Sequence, residues 1–286
     1  MRIGAHVSSA GGPAGVFERA AAIGAEAVQL FISAPQQWRL PALTEAQAGA
    51  FRAAHAQSGI PAFFHGVYLM NFGSQDAAIL EKSVASLGSY LRWAGELGVR
   101  GTIFHVGSHL GAGFEAVVDQ ACRLIRQAMD AAPNGSLVIL ENSAGQGNVM
   151  GRDFRELAAL IRGLDGDPRV AVCLDTCHAF AMGYDLSTKE GCELAMTEFG
   201  AQVGWERLVA VHANDSKLGL GGVRDRHENI GDGKIGYDGF RTLMAHPAFA
   251  NVPFLLEVPG IEDKGPDSEN VERLKRLRSE VGAPLD

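Results

Sequence analysis

Histidines and acidic residues recur at the ends of short apolar runs along the chain. Six such runs each end in one of these residues: His65, His105, Glu141, Asp175, His212 and Glu257. Three further residues of the same types stand in the segments that follow: His178 in DTCH, and Asp225 and His227 in DRH. A single histidine at such a place is usually a hydrogen-bonded structural residue, but packing alone gives no reason for six in succession.

Ionisable side chains that gather in one place repel one another or lose hydration unless a counter-charge pairs them. Imidazole and carboxylate ligands without a thiolate suit Zn²⁺, Mn²⁺ or Fe²⁺. Nine ligands are too many for one tetrahedral ion, so the pattern predicts two or three ions with a bridging carboxylate. A site of that kind can activate water and hold both oxygens of a phosphodiester in line.

The apolar runs alternate with helical segments, which indicates a parallel sheet buried on both faces. Eight runs are visible: Arg2–His6, Ala27–Ile32, Pro61–Gly66, Thr102–Val106, Leu137–Asn142, Val170–Asp175, Leu208–Ala213 and Pro253–Val258. Apolar residues spaced by three and four predict helices over Asp76–Gly98 and around Ser268–Val281. The runs end about 36 residues apart, which predicts a (β/α)8 TIM barrel as one domain over residues 1–286.

The barrel prediction brings the six strand-end residues to one mouth, because all parallel strands of a barrel point the same way. A doubly wound open sheet is the alternative, but no convincing phosphate-binding loop follows an early strand. Two long segments, 175–189 and 214–237, follow strands six and seven and are expected to be functional loops.

The composition excludes several other classes of protein. The chain has 286 residues, 47% of them apolar, and a formal net charge of −8, which disfavours a generic basic nucleic-acid binder. The four cysteines form no Cys-x-x-Cys pair, and no stretch approaches the ~18 apolar residues of a membrane span. Since the first twelve residues carry no apolar signal segment, we expect a cytoplasmic protein with reduced thiols and no membrane partner. A monomer is expected because one barrel completes its own core.

Six motifs identify a family that this sequence resembles. GAHVSSAGG, FHVGSHLG, LENSAGQG, LDTCHAFAMGYDL, VHANDSK and DRHENIGDGKIG resemble, in this order, endonuclease IV, the family of zinc-dependent apurinic/apyrimidinic endonucleases. The resemblance runs from residue 3 to about residue 260. It implies a TIM barrel with three zinc ions that cuts double-stranded DNA 5′ to abasic sites and leaves a 3′-hydroxyl. It also suggests activity on blocked 3′ ends.

The resemblance also implies a role for each of the nine residues. The first zinc would take His65, His105 and Glu141; the second would share Glu141 and add Asp175, His212 and Glu257; the third would take His178, Asp225 and His227. Glu141 and Glu257 would be the catalytic carboxylates, beside the water that attacks the phosphate. Three Zn²⁺ ions would offset six of the eight negative charges, with Mn²⁺ or Fe²⁺ as substitutes.

Contacts to DNA follow from the same resemblance. Tyr68 and Leu69 would fill the gap beside an extruded abasic nucleotide. The loop after strand two carries Gln36 where the family usually has an inserting arginine, and Val106 stands where a proline is common. Basic residues expected to contact phosphates are Arg39, Lys217, Arg224, Arg226 and Lys234.

Two other classes of function fit parts of the pattern. A sugar isomerase or epimerase on a similar barrel also uses His and carboxylate at strand ends, but it lacks the third ligand set. A non-catalytic metal- or DNA-binding module is disfavoured because nine converging ligands leave positions for water and substrate. His6 is expected to support the site, and His109 to have a structural role or to contact a phosphate, rather than bind an ion. His178 is preferred over Cys177 as a ligand.

Overall fold

A computed structural model of the protein describes residues 1–40, 42–132 and 136–283. Eight parallel strands close into a barrel in the order in which they follow one another along the chain, with the last beside the first. They are β1 (Ile3–His6), β2 (Val28–Leu30), β3 (Ala62–His65), β4 (Gly101–Phe104), β5 (Leu137–Glu141), β6 (Val170–Asp175), β7 (Leu208–His212) and β10 (Phe254–Leu256). The closed parallel barrel confirms the predicted (β/α)8 fold.

Helices follow the barrel strands and cover the outside of the barrel. They are α1 (Val16–Ala22), α2 (Glu45–Ser58), α3 (Ala77–Leu97), α4 (Phe114–Asp130), α5 (Phe154–Gly163), α6 (Thr176–Ala181), α7 (Lys189–Gln202), α8 (Gly236–Ala245) and α9 (Ser268–Glu280). α3 shows how local sequence sets these bounds. Asp76 accepts a hydrogen bond from Ala78 N at its start, and Gly98 ends it in the left-handed conformation with φ 70°.

The barrel interior contains two successive layers of side chains. The lower one, called the apolar layer here, consists of Ala27, Phe63, Ile103, Ile139, Ala171, Cys173, Ala210 and Leu255. Side chains two residues apart on a strand point to the same face. The next layer, called the polar ring, stands two positions beyond seven of these residues and two beyond Gly4: His6, Gln29, His65, His105, Glu141, Asp175, His212 and Glu257. Each of the eight strands, or the residue directly after it, contributes one polar side chain to this ring.

Some predicted bounds differ from the observed ones. β4 ends at Phe104 and β10 at Leu256, so His105 and Glu257 directly follow their strands. The segment 175–189 is not a continuous loop, because α6 begins directly after β6 and carries His178. Asp175 accepts a hydrogen bond from His178 N at the start of that helix. No helix among the described residues is long and apolar enough to cross a membrane.

The segment 214–237 also contains regular structure. β8 (Asp215–Ser216) and β9 (His227–Glu228) pair in an antiparallel hairpin above the barrel mouth. His227 lies in the second strand of this hairpin. The hairpin places it next to Glu257, the residue directly after β10.

Candidate metal centre

Glu141 lies at the centre of the polar ring and is fully buried. Its Oε2 atom lies 3.2 Å from His65 Nε2 and 3.4 Å from His105 Nε2. Its Oε1 atom lies 3.0 Å from His212 Nδ1. One carboxylate therefore faces two groups of imidazoles, as a bridging ligand does.

The second set surrounds His212. The Nδ1 atom of this residue lies 3.3 Å from Glu257 Oε2 and 3.8 Å from Asp175 Oδ2, in addition to its contact with Glu141. Ligand atoms of these four residues lie within 4.8 Å of one another. The set comes from four neighbouring strands of the barrel wall, β5, β6, β7 and β10.

The third set lies above the barrel, where α6 meets the hairpin. His178 Nε2 lies 3.3 Å from Asp225 Oδ2, and His227 Nε2 lies 2.9 Å from Asp225 Oδ1. His227 Nε2 also lies 3.7 Å from Asp175 Oδ2, which connects this set to the second. All nine predicted ligands thus come together in the three predicted groups.

Three of the five imidazoles in the sets are held in place by a hydrogen bond from the ring nitrogen that faces away from the other ligands of their set. The Nδ1 atoms of His65, His178 and His227 lie 2.8, 2.8 and 3.2 Å from the backbone carbonyl oxygens of Gly66, Asn142 and Glu257. A carbonyl only accepts, so each Nδ1 carries the hydrogen. The opposite nitrogen keeps its lone pair, which is the usual arrangement around metal-bound histidines.

The donor atoms fit divalent ions in distance and in alignment. Two ligand atoms of a tetrahedral zinc site lie about 3.3 Å apart, given bonds of about 2.0–2.2 Å. The Nε2 atoms of His178 and His227 are buried and have no hydrogen-bond partner among the described residues. His227 Nε2 is close to Asp225 but not aligned to donate to it. Both atoms instead converge on shared space, where an ion would satisfy them.

The protonation states of the site depend on one another. Burial opposes ionisation of Glu141, but the surrounding imidazoles His105 and His212 hold its pKa well below the ordinary value. Burial likewise opposes protonation of His178, but Asp175 and other carboxylates raise its pKa to about 10. For His105, the nearby carboxylates do not offset the effect of burial, and its pKa falls to about 4. A bound cation would take over the charge pairing that protons supply here, so metal binding is expected to release protons.

Neutral amides support the ligands, and sequence reasoning missed them. Gln29 is fully buried in the polar ring. Asn142 Oδ1 accepts from Asp175 N at 2.7 Å, and Asn214 Nδ2 donates to Asp175 Oδ2 at 2.8 Å. The available signal was position, because Asn142 and Asn214 lie beside predicted strand ends and Gln29 is a polar residue within an apolar run.

The three residues set aside in the sequence analysis, His6, His109 and Cys177, lie outside the sets. His6 contacts Glu257 Oε1 at 3.3 Å and supports the ring, as expected. His109 Nδ1 accepts from Gly111 N and Gly113 N in its own loop. Cys177 lies near Asp175 and His227, but burial raises the pKa of its thiol to about 12, which disfavours the thiolate that a metal needs.

A cavity of about 700 Å³ opens above the metal centre and is lined by His65, His105, His178 and Glu257 among others. Tyr68, 54% exposed, and the half-buried Leu69 also line it. The exposed Gln36 and Arg39 lie in the neighbouring loop, which contacts this segment through Tyr68 N and Pro35 O at 3.0 Å.

The remaining basic candidates lie on the hairpin side of the mouth. Lys217 and Arg226 are exposed and face each other across the hairpin, where Lys217 N donates to Arg226 O at 2.9 Å. Arg224 and Lys234 also lie in this segment, and Arg224 is exposed. Of the predicted DNA-contacting residues, Tyr68 and Leu69 line the cavity, and the others lie in loops next to segments that line it.

Fold and site together define a TIM-barrel enzyme with clustered histidines and carboxylates at the mouth of its strands that could hold metal ions. Residues 17–279 match the family described as xylose isomerase-like TIM barrel. A curated protein from Methanoculleus marisnigri, named probable endonuclease 4, is 41% identical over 277 residues, which cover 96% of this chain and 98% of that protein. This chain belongs to the endonuclease IV family, a family of metal-dependent nucleases.

Solved structures agree with this placement. The crystal structure of endonuclease IV from Thermus thermophilus superposes with a TM-score of 0.87 at 37% identity, covering 98% of this chain and 100% of that one. A D-tagatose 3-epimerase-like protein also superposes, with a TM-score of 0.77 at 18% identity over 99% of this chain and 98% of that one, and it shows the shared fold alone.

Proposed function

We propose that this protein is a zinc-dependent DNA-repair endonuclease that hydrolyses the phosphodiester 5′ to abasic sites in double-stranded DNA. The observation that most supports this proposal is the convergence of three ligand sets on one cavity, with Glu141 shared between the first two sets. Bound Zn²⁺ lowers the pKa of water and neutralises charge on phosphate oxygens, which is the chemistry that phosphodiester hydrolysis needs. Three ions are proposed, since each set offers at least three ligands.

The carboxylates of this chain have distinct tasks in the proposal. Glu141 would be the ligand that the first two ions share, since its two oxygens face different imidazoles. Glu257 lines the cavity and has one oxygen near His212 and the other near His6. It is therefore placed to anchor the second ion and to orient a water molecule that faces the phosphate. Asp175 is held on both oxygens by Asn214 and His178 N and acts as a rigid ligand.

The exposed residues at the mouth recognise the lesion. The Tyr68 ring packs edge-on against Phe31 and His65, with centroids 5.3 and 5.4 Å apart, so its base is supported while its tip faces solvent. A supported aromatic ring can occupy the space left by an extruded abasic nucleotide. Leu69 and Gln36 flank it, and Arg39, Lys217 and Arg226 contact phosphates on either side.

The same site supports a wider activity. A phosphodiester or phosphate at a 3′ end would offer the same kind of oxygens to bound ions, so we include 3′-end phosphodiesterase activity in the proposal. We further propose that the chain acts in the cytoplasm as a monomeric, single TIM-barrel domain, with Mn²⁺ or Fe²⁺ able to replace Zn²⁺.

The test uses a duplex oligonucleotide with one tetrahydrofuran abasic analogue, together with metal analysis of the same protein sample. Incision 5′ to the analogue by protein that contains about three zinc ions is expected. An undamaged duplex of the same sequence is the control and should remain intact. Failure of fully metallated protein to cut the analogue would refute the proposed function, and sugars would then be screened as substrates.

A further inference from the structure

Gln29 is the only amide side chain in the polar ring as defined above, and three of its neighbours in the ring contact it. Its Nε2 atom lies 2.6 Å from Glu257 Oε1 and 2.9 Å from His6 Nδ1. Its Oε1 atom lies 2.7 Å from His212 Nε2. The side chain is fully buried, so water does not compete for these contacts.

Chemistry alone determines which way this amide faces. The ionised carboxylate of Glu257 can only accept hydrogen bonds, so the group 2.6 Å from it must be the amide NH₂. The amide oxygen then faces His212 Nε2, which must carry the hydrogen of that ring. His212 Nδ1 consequently keeps its lone pair, and this is the nitrogen that faces Glu141 and Glu257.

We infer that Gln29 is a positioning residue for the second ligand set, selecting the metal-binding tautomer of His212 and the conformation of Glu257 with a single amide. The inference rests on the proposed metal centre. Two ligands from different strands share one partner, so their relative placement depends on this side chain.

His6 extends the same network. The second hydrogen of the Gln29 amide faces His6 Nδ1, which therefore acts as an acceptor. The His6 ring also packs against Phe31, with centroids 4.7 Å apart, so it is held in place from both sides. The amide thus connects β1, β2, β7 and the end of β10 across the ring.

The experiment compares Gln29→Met with Gln120→Met in the full-length protein. Methionine keeps a similar volume at position 29 and removes every hydrogen bond. Gln120 is the matched control, because its Nε2 donates to the carbonyls of Phe72 and Ser74 away from the metal centre. The measurements are zinc content, zinc affinity by competition with a chromophoric chelator, and the visible spectrum of the Co²⁺-loaded protein.

Gln29→Met is expected to bind one of the three ions roughly 10- to 100-fold more weakly and to alter the Co²⁺ spectrum. Gln120→Met is expected to match the unchanged protein in both. If Gln29→Met does not fold, Gln29→Asn, whose amide is too short to reach both partners, should lose the same ion. If a folded Gln29 variant binds all three ions with unchanged affinity, the role inferred for Gln29 is wrong, but the proposed metal centre is not affected. Absence of tightly bound zinc from the unchanged protein would overturn the metal centre and the inference together.

Discussion

His227 Nδ1 lies 3.2 Å from the backbone carbonyl oxygen of Glu257, so the main chain of one ligand orients the ring of another. The same relation joins His178 Nδ1 to the carbonyl of Asn142, the residue after Glu141. The third set is therefore fastened to the strand ends that carry the first two. A disturbance at one strand end is expected to reach more than one ion.

Glu257→Gln is expected to lower kcat for incision by at least about 100-fold, because an amide cannot supply the negative charge at this position. Binding of abasic duplex should persist, since the mouth residues are unchanged. The measurements are single-turnover incision and fluorescence anisotropy. Glu262→Gln is the control, because that exposed carboxylate pairs only with Lys264 among the contacts described for it. Normal turnover in Glu257→Gln would refute its catalytic role.

Gln36→Arg is expected to tighten binding to abasic duplex by several-fold and to steepen its dependence on salt, because arginine adds a cation at the mouth. Gln37→Arg provides a matched control, since the neighbouring side chain is exposed too and receives the same charge. Dissociation constants at two salt concentrations would distinguish insertion from general attraction. Equal effects of both variants would show that position 36 does not enter the DNA.

Asp215→Asn is expected to lose the third ion and about 1–3 kcal/mol of stability. The buried Asp215 carboxylate accepts from the backbone of Gly231, Gly233 and Ile235, and so it folds the loop after the hairpin. In Asp215→Asn, the NH₂ group of the amide would face backbone N–H groups, and two donors cannot form a hydrogen bond with each other. Metal analysis and thermal unfolding test this, with the exposed Asp238→Asn as control. Three retained ions would argue against coupling between this loop and the site.

Removal of the ions is expected to lower the melting temperature strongly. Each ion that binds only the folded state contributes about 4 kcal/mol when its free concentration is 1,000 times Kd. Thermal unfolding would be followed with a chelator, and again after zinc is restored. Mg²⁺, which prefers oxygen ligands, is the control ion and should not restore stability. An unchanged melting temperature after complete demetallation would contradict the metal-centre assignment.

Glu26 provides a test of pH dependence away from the site. Burial raises the pKa of this carboxyl, but its hydrogen bonds with Arg278 and Ile3 N outweigh burial and bring the pKa below the ordinary value of 4.5. The pair therefore stabilises the protein above about pH 4.5, and the contribution is lost as pH falls through the lowered pKa. Glu26→Gln should cost about 1–2 kcal/mol at pH 7. The difference from the unchanged protein should vanish in acid; a constant difference in urea unfolding would refute this.

The sequence was sufficient to predict the barrel and to select residues that converge in it. His and acid side chains stood two residues beyond the interior positions of six strands, and that pleat spacing puts them on one face. His178 lies close to Asp225 and His227, but its place on a helix was missed. A helix of only six residues directly after β6 is too short for a periodic signal.

Gln29 could not be identified from the sequence because a neutral amide within Val28–Leu30 resembles an ordinary strand residue. Its importance depends on contacts with His212 and Glu257, which lie far away along the chain. Asp215 was missed for a similar reason, since its partners are backbone amides of a loop. Long-range hydrogen bonds of this kind leave no local pattern.

The apolar layer, the polar ring and the mouth loops lie one above another in the barrel. Substitutions in each of these three layers are expected to affect a different property of the protein. Substitutions in the apolar layer are expected to alter stability, those in the polar ring to alter the binding of metal ions, and those in loops such as the one with Gln36 to alter the binding of DNA. One of these three properties can therefore change during evolution while the other two stay the same. Gln36, where the resemblance to the family implies an arginine, is expected to be a difference of the last kind.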